Sequence, residues 1–370
     1  SGEIYSDPRV KVITEDARSF IRRHTKKFDL IYSLSSNSFA ALASGSFALA
    51  ENYLFTKEAF EDYWKALSDS GFMMMEHQFY MPRLVSEFTE AMQDLEIKDY
   101  KEHFAVYNIP KMRRNIILIS KKPLNEEMLS NAFGDVPKSE HSYKYLLYPA
   151  DDSVKNNLIN KIVTLGWKKA ANEADIDISP SYDNKPFTAQ MGLWKNFEWT
   201  ELNEIKPYEF FGFPVSKLIM VIILGITLLF IVPLNLIPYF KKGKKLRAAP
   251  WLYFFVIGMA FMFVEVVLMQ RYALFIGPSV YSVAVTLLAL LIGSGIGSYF
   301  SNRFSAKSAF SGIMILLLLT IFVFPYLLSF LNSLVLPARI IVASTLILPL
   351  GFFMGMPFPK AAVIVGELID

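Results

Sequence analysis

Two short stretches place polar residues directly after apolar, strand-like runs. In VITEDARSF, residues 12–20, Asp16 follows a short apolar run and opens a helical one. An acid there can accept hydrogen bonds from a ligand amine or hydroxyl, or it can simply cap the helix, as Asp commonly does. The spacing leaves both roles open. In KKFDLIYSLSSNSF, residues 26–39, a buried strand over Phe28–Leu34 runs into a small polar loop. In many α/β enzymes that loop carries the catalytic acid, which takes a proton from the attacking group. Here it holds Leu34, then Ser35, Ser36, Asn37 and Ser38.

The elements that position these loops alternate. Strands are expected over Val10–Ile13, Phe28–Leu34, Phe72–Glu76 and Asn115–Ser120. Helices are expected over Ala17–His24, Lys57–Leu67 and roughly 82–95, with Asp16 and Thr56 as N-caps and a turn at Ser70–Gly71. Strands alternating with helices predict a mostly parallel, doubly wound α/β sheet. Ligands of such sheets sit past the carboxyl ends of the strands, which selects the two loops above. Residues 123–214 are less regular. DISPSYDNKPF (177–187) is turn-rich, and the aromatic run 194–213 holds Trp194, Trp199, Tyr208, Phe210 and Phe211. Those rings suit either a membrane interface, where aromatics are enriched, or the edge of the soluble core.

Composition excludes several chemistries. The chain has 370 residues and no Cys, so disulfides and thiolate metal sites are impossible. Its four His are scattered without ligand spacing. A net charge of +3 is too small to imply nucleic acid binding. The chain opens SGEIYSDPRV, without Met, and ends GELID directly after an apolar segment, so both ends are expected to be truncated.

The apolar content of 53% is concentrated after residue 214. Five segments there, about 216–238, 251–272, 279–300, 309–331 and 339–358, are long enough to span a bilayer, which takes roughly 20 residues each. The lipid bilayer is therefore an expected partner. FVEVVLMQRY places Glu265 inside one apolar helix, with Gln270 and Arg271 at its end. A carboxylate at such depth is costly. It marks a proton or substrate site, or it belongs to a structural pair with Arg271 or a group on another helix. Gly293, Gly295 and Gly297 in LLIGSGIGSYF imitate a dinucleotide motif, but no strand precedes them. They are expected to let helices pack closely, as is GFFMGMPFP (351–359), which also suits a kinked helix end.

DPRVKVITEDARSFIRR, KKFDLIYSL and ENYLFTKEAFEDYWKALSDSGFMMME, in that order, resemble the central part of a spermidine synthase-like, Rossmann-type transferase domain. With DISPSYDNKPF, FVEVVLMQRYALFIG, GSGIGS and GMPFP, the chain is similar to membrane-embedded, spermidine synthase-like proteins of bacteria and archaea. The resemblance implies a partial transferase domain over 1–122, an irregular extension over 123–214 and a transmembrane domain of about five helices over 215–370. It implies that S-adenosylmethionine or its decarboxylated form is the cofactor, with Asp16, Ala17, Ser33 and Leu34 beside it. The family's glycine-rich loop would lie upstream of Ser1. Where the family carries two working aspartates, this chain has Leu34 and Asn37. Leucine accepts no proton, and Asn37 carries no charge to hold a cationic amine. Glu51 and Glu76 are the acids nearby.

Three readings follow. A membrane-anchored transferase would pass a methyl or aminopropyl group to an unknown acceptor; methyl transfer relies mostly on positioning. A transporter-like or ligand-sensing protein would retain a degenerate transferase domain. An authentic spermidine synthase is disfavoured by Leu34. The cofactor is cytoplasmic, so the soluble domain of a multi-pass protein of the prokaryotic inner membrane is expected inside. Positive-inside counting opposes this. The first loop holds Lys241, Lys242, Lys244, Lys245 and Arg247 and the third Arg303 and Lys307, while the second and fourth hold only Arg271 and Arg339.

Overall fold

A computed structural model describes residues 4–13, 16–34, 52–77, 80–109, 114–131, 145–149, 156–200, 212–234, 248–277 and 280–369. The chain forms two compact units, His24–Val232 and Ser1–Arg23 with Pro233–Asp370.

The first unit is built on a five-stranded sheet: β1 (Phe28–Ser33), β2 (Leu67–His77), β3 (Phe104–Ile109), β4 (Arg114–Ser120) and β5 (Tyr145–Tyr148), in the order β1-β2-β4-β3-β5. It has the Rossmann-like α/β character, but its pairing is mixed rather than mostly parallel. Only β1 and β2 pair in parallel; the other three pairings are antiparallel. The reason is local. β3 and β4 are separated by residues 110–113 alone, and so short a connection can only join antiparallel strands. β4 then inserts between β2 and β3, which run in the same direction.

The crossover from β1 to β2 carries the helix Lys57–Ala66, which Thr56 starts by accepting from the Ala59 amide at 3.2 Å. With the helix Met81–Asp94 it covers one sheet face. Phe55, Phe60, Met73, Met75, Phe88 and Phe104 are all buried there. In β2 the odd-numbered positions from Gly71 to His77 are buried and the even ones half-buried, the alternation of a strand with one covered face. Ser70–Gly71, expected as a turn, lies inside β2. The register slips between Phe28 and Leu30, and a Cβ on Gly71 would stand 2.7 Å from the Phe28 carbonyl. The glycine serves a close approach at a bulge.

DISPSYDNKPF is a clasp on these two helices. Arg83 donates to the carbonyls of Phe187 and Thr188 and pairs with Asp177 at 3.2 Å. Glu87 accepts from the Ser181 amide at 3.0 Å, Glu58 from the Asp183 amide at 3.0 Å, and Glu90 from the Tyr182 hydroxyl at 2.8 Å. Burial pushes Glu87 well above the ordinary carboxylate range and raises Glu58 as well. Burial works against Asp177 too, yet the Arg83 guanidinium and the Ser179 hydrogen bonds hold it below its usual value.

In the second unit, Val10–Ile13 is not a strand. Asp16 caps the short helix Ala17–Ile21, its Oδ1 accepting from the Ser19 amide at 2.7 Å. Four helices among the described residues of the chain are long and apolar enough to cross a membrane: Val215–Leu234, Ala249–Ile276, Tyr281–Arg303 and Leu336–Glu367. A pair bent by 47°, Ala306–Phe322 and Phe324–Phe330, is either a fifth, broken span or a re-entrant loop. Its break sits at Val323, where Pro325 in the next first turn brings no amide hydrogen. The basic loop 241–247 lies outside the described residues.

Glycine decides the tightest contact. A Cβ on Gly293 would meet the Leu348 carbonyl at 2.6 Å, and one on Gly297 would collide with the Phe352 backbone, whereas Gly295 faces open space. Gly351 and Gly355 return the contact against Leu290 and Ser294. The helices Val280–Phe300 and Leu336–Met354 thus touch backbone to backbone, as small residues allow. The second of these helices ends at Met354, and Pro357 opens the next, so GFFMGMPFP both packs tightly and breaks.

Candidate active site

The carboxyl ends of β1 and β2 meet at one edge of the sheet. Their ladder pairs Tyr32 with Met74 and Ser33 with Met75, so one further step brings Leu34 level with Glu76. The acid missing after β1 therefore has a counterpart on the neighbouring strand. Strand alternation puts Tyr32 and Glu76 on the sheet face opposite the helices. The Tyr32 hydroxyl donates to Glu76 Oε2 at 3.4 Å, and Arg114 Nε, from the start of β4, pairs with Glu76 Oε1 at 3.1 Å. Leu34 and Tyr32 are exposed beside them, 58% and 49%. The Ser33 hydroxyl donates to the Leu34 carbonyl at 3.4 Å.

On the covered face the next residue, His77, is fully buried. Its ring stacks on Tyr80 at 4.2 Å, meets Phe55 edge-on, and its Nδ1 accepts from the Tyr80 amide at 3.3 Å. Burial, aided by the Arg114 charge, pushes the imidazole down to about 3, so it stays neutral at physiological pH.

The sequence-selected residues divide accordingly. Ser33, Leu34 and Glu76 share the sheet unit, while Asp16 and Ala17 belong to the other unit. Asp16 caps its helix and lies against Gly277, whose φ of +114° suits glycine; a Cβ there would sit 2.7 Å from the Asp16 Cβ. Ala17 is exposed as the first residue of the helix. Asn37 and Glu51 lie outside the described residues. Arg271 does not pair with Glu265: its guanidinium donates to the Thr320 carbonyl. Glu265 is half-buried and makes no hydrogen bond or ion pair among the described residues, and Gln270 is half-buried near the helix end. Arg339 is 2% exposed and donates to the Phe275 carbonyl at 2.9 Å.

Sequence reasoning missed Arg114 and the helix residues Glu58, Arg83, Glu87 and Glu90. The turn-rich clasp was visible, but its partners lie some 90 to 125 positions away, beyond any local pattern.

In kind, the residues suit an S-adenosyl group. Leu34 offers exposed apolar surface at a strand's carboxyl end, and Asp16 keeps Oδ2 beside the oxygen that caps its helix. The sheet is that of a Rossmann-like domain. Residues 1–129 match the spermine/spermidine synthase domain family, so the N-terminal part of the chain carries a polyamine-synthase-like domain. A search of the curated proteins gave no match, and neither did a search of the solved structures.

Proposed function

We propose that the chain is a membrane-anchored transferase that moves a methyl or aminopropyl group from S-adenosylmethionine or its decarboxylated form to an acceptor met at the membrane. The observation that carries the reading is the domain match over 1–129 on a sheet whose parallel β1–β2 ladder ends at Ser33 and Met75, one step before Leu34 and Glu76. The apolar helices support the anchoring.

When bound, the cofactor supplies an electrophilic carbon on a sulfonium sulfur. The resemblance assigns Ser33 and Leu34 on the sheet unit, and Asp16 and Ala17 on the other unit, to holding it. Leu34 takes no proton, and the Glu76 carboxylate is shared with Arg114 and Tyr32, which makes it an anchor for a donor group rather than a free base. The acceptor must then arrive with a lone pair already available. That favours methyl transfer, or aminopropyl transfer to an amine that is neutral on arrival, over the usual polyamine chemistry.

Calorimetry on the full-length protein tests this. One of the two cofactors should bind. Asp16→Ala should weaken binding roughly tenfold or more, the worth of a hydrogen bond to a charged group. Asp16→Asn keeps the helix cap, so weaker binding in both variants assigns the loss to the carboxylate. Binding of neither cofactor sinks the transferase and leaves the transporter-like or ligand-sensing reading, which Glu265, without an ion pair among the described residues, favours. For topology, Gly243→Cys in this cysteine-free chain should react with an impermeant thiol reagent in intact cells if the soluble domain is inside; protection would place it outside.

A further inference from the structure

The sheet unit carries an aromatic cluster fastened to the mouth of the first apolar helix. The Leu193 amide and the Asn196 side chain both donate to the Gly212 carbonyl, at 2.9 and 3.0 Å. Lys217, in the first turn of that helix, donates to the Gly192 carbonyl at 2.7 Å. Gly192 is pressed onto the same backbone, since a Cβ there would stand 2.5 Å from Pro214 Cα. The rings follow the backbone. Phe197 packs on Phe213 at 5.8 Å, on Trp194 at 6.2 Å and on Trp199 at 5.1 Å. Despite these contacts, Trp194 is 50% exposed and Trp199 76%. Tyr208, Phe210 and Phe211 lie outside the described residues.

We propose that Trp194 and Trp199 form an interfacial anchor that inserts into the headgroup layer of a bilayer. This rests on the reading that Val215–Leu234 crosses the membrane. Its described part runs 20 residues from Val215, about 30 Å at about 1.5 Å per residue, enough to cross the hydrocarbon core. The helix opens at Val215 directly after Pro214, so the cluster fastened to its mouth meets the headgroup layer, roughly 5–7 Å deep. Phe213 is two residues from that end, and the cluster is held to it by hydrogen bonds and ring contacts. The exposed indoles have one apolar body and one N–H each, which suits a layer that is wet on one side and oily on the other. The anchor is also tied inward: Asn196 donates to the Asp175 carbonyl at 2.6 Å, and Asp177 pairs with Arg83 on the helix that covers the sheet. The sheet unit would thereby be held against the lipid surface.

Brominated lipids test it on the full chain. The five tryptophans allow single-Trp variants, the others replaced by Phe, in phosphatidylcholine vesicles brominated near the glycerol or near the chain ends. Trp194 and Trp199 should lose more emission to shallow than to deep bromines. Trp251, early in the second apolar helix, is the membrane control, and Trp64, buried in the sheet unit, should be unaffected. A second comparison avoids any folding defect at the buried positions: wild type against Trp194→Phe/Trp199→Phe, whose difference reports the two exposed rings alone. Quenching of Trp251 without quenching of Trp194 or Trp199 overturns the anchor and leaves the span intact. No quenching of Trp251 overturns the membrane reading, and the anchor with it.

Discussion

His77→Asn should change how stability depends on pH more than it changes stability at neutral pH. The folded protein holds this imidazole at about 3, against an ordinary value of 6.5. Above pH 6.5 the ring is neutral in both states and costs nothing. As pH falls below 6.5 the unfolded chain gains a proton that the folded chain refuses until about pH 3. Stability is thus lost on acidification, by something on the order of 2–3 kcal/mol between pH 6.5 and 4.5. Asparagine keeps an acceptor for the Tyr80 amide but loses the stacking on Tyr80 and the edge contact with Phe55. Those ring contacts and the small void should cost about 2 kcal/mol at pH 7.5. At pH 4.5 the variant should equal or exceed the wild type. Chemical unfolding at several pH values between 7.5 and 4.5, followed by tryptophan emission, measures the gap. Every other titrating group is common to both proteins and cancels in the difference. A gap that stays constant across this range would refute the neutral, proton-refusing His77.

Two further outcomes follow from buried contacts. Glu87 has its value raised by burial, so its contribution runs the other way: stability is fully present below the unfolded value of 4.5 and lost as pH rises toward the folded one. Glu87→Gln should abolish that loss and melt no lower than wild type at pH 7, while keeping an acceptor for the Ser181 amide; a variant that melts lower at pH 7 with the wild-type pH dependence would show that Glu87 is ionised in the fold. In the helical unit, Gly297→Ala forces a methyl onto the Phe352 backbone and should cost about 1–3 kcal/mol. Gly295→Ala meets nothing and should be neutral or stabilising by up to about 1 kcal/mol through helix propensity. Equal melting temperatures for the two variants would disprove the backbone contact.

The sequence is most readable where one local interaction decides the structure. The caps at Asp16 and Thr56 are visible because a side chain three residues from an amide is enough to start a helix. The apolar helices and the glycines between them are visible because bilayer length and close approach each leave a compositional mark. Reading fails where the deciding partner is distant. Val10–Ile13 has a strand's composition, but its exposed side chains find no ladder. Ser70–Gly71 has a turn's composition, but the Phe28 carbonyl on another strand recruits the glycine into a bulge. FAVYNI hides β3, whose existence fixes the mixed order of the sheet.

The candidate site shows the same division and gives it a chemical meaning. From the sequence, Leu34 reads as a lost acid, because the loop after β1 can be inspected only along the chain. The sheet adds the lateral neighbour. Continuing the β1–β2 register sets Glu76 level with Leu34, so a carboxylate remains at that edge. It is not equivalent to the acid it faces. A carboxylate on a loop is free to turn toward a substrate, whereas Glu76 is fixed on a strand with its two oxygens engaged by Arg114 and Tyr32. On the transferase proposed above, a carboxylate so engaged can orient a donor group but is poorly placed to reach the proton of a cationic amine. On that reading the acceptor brings its own reactivity.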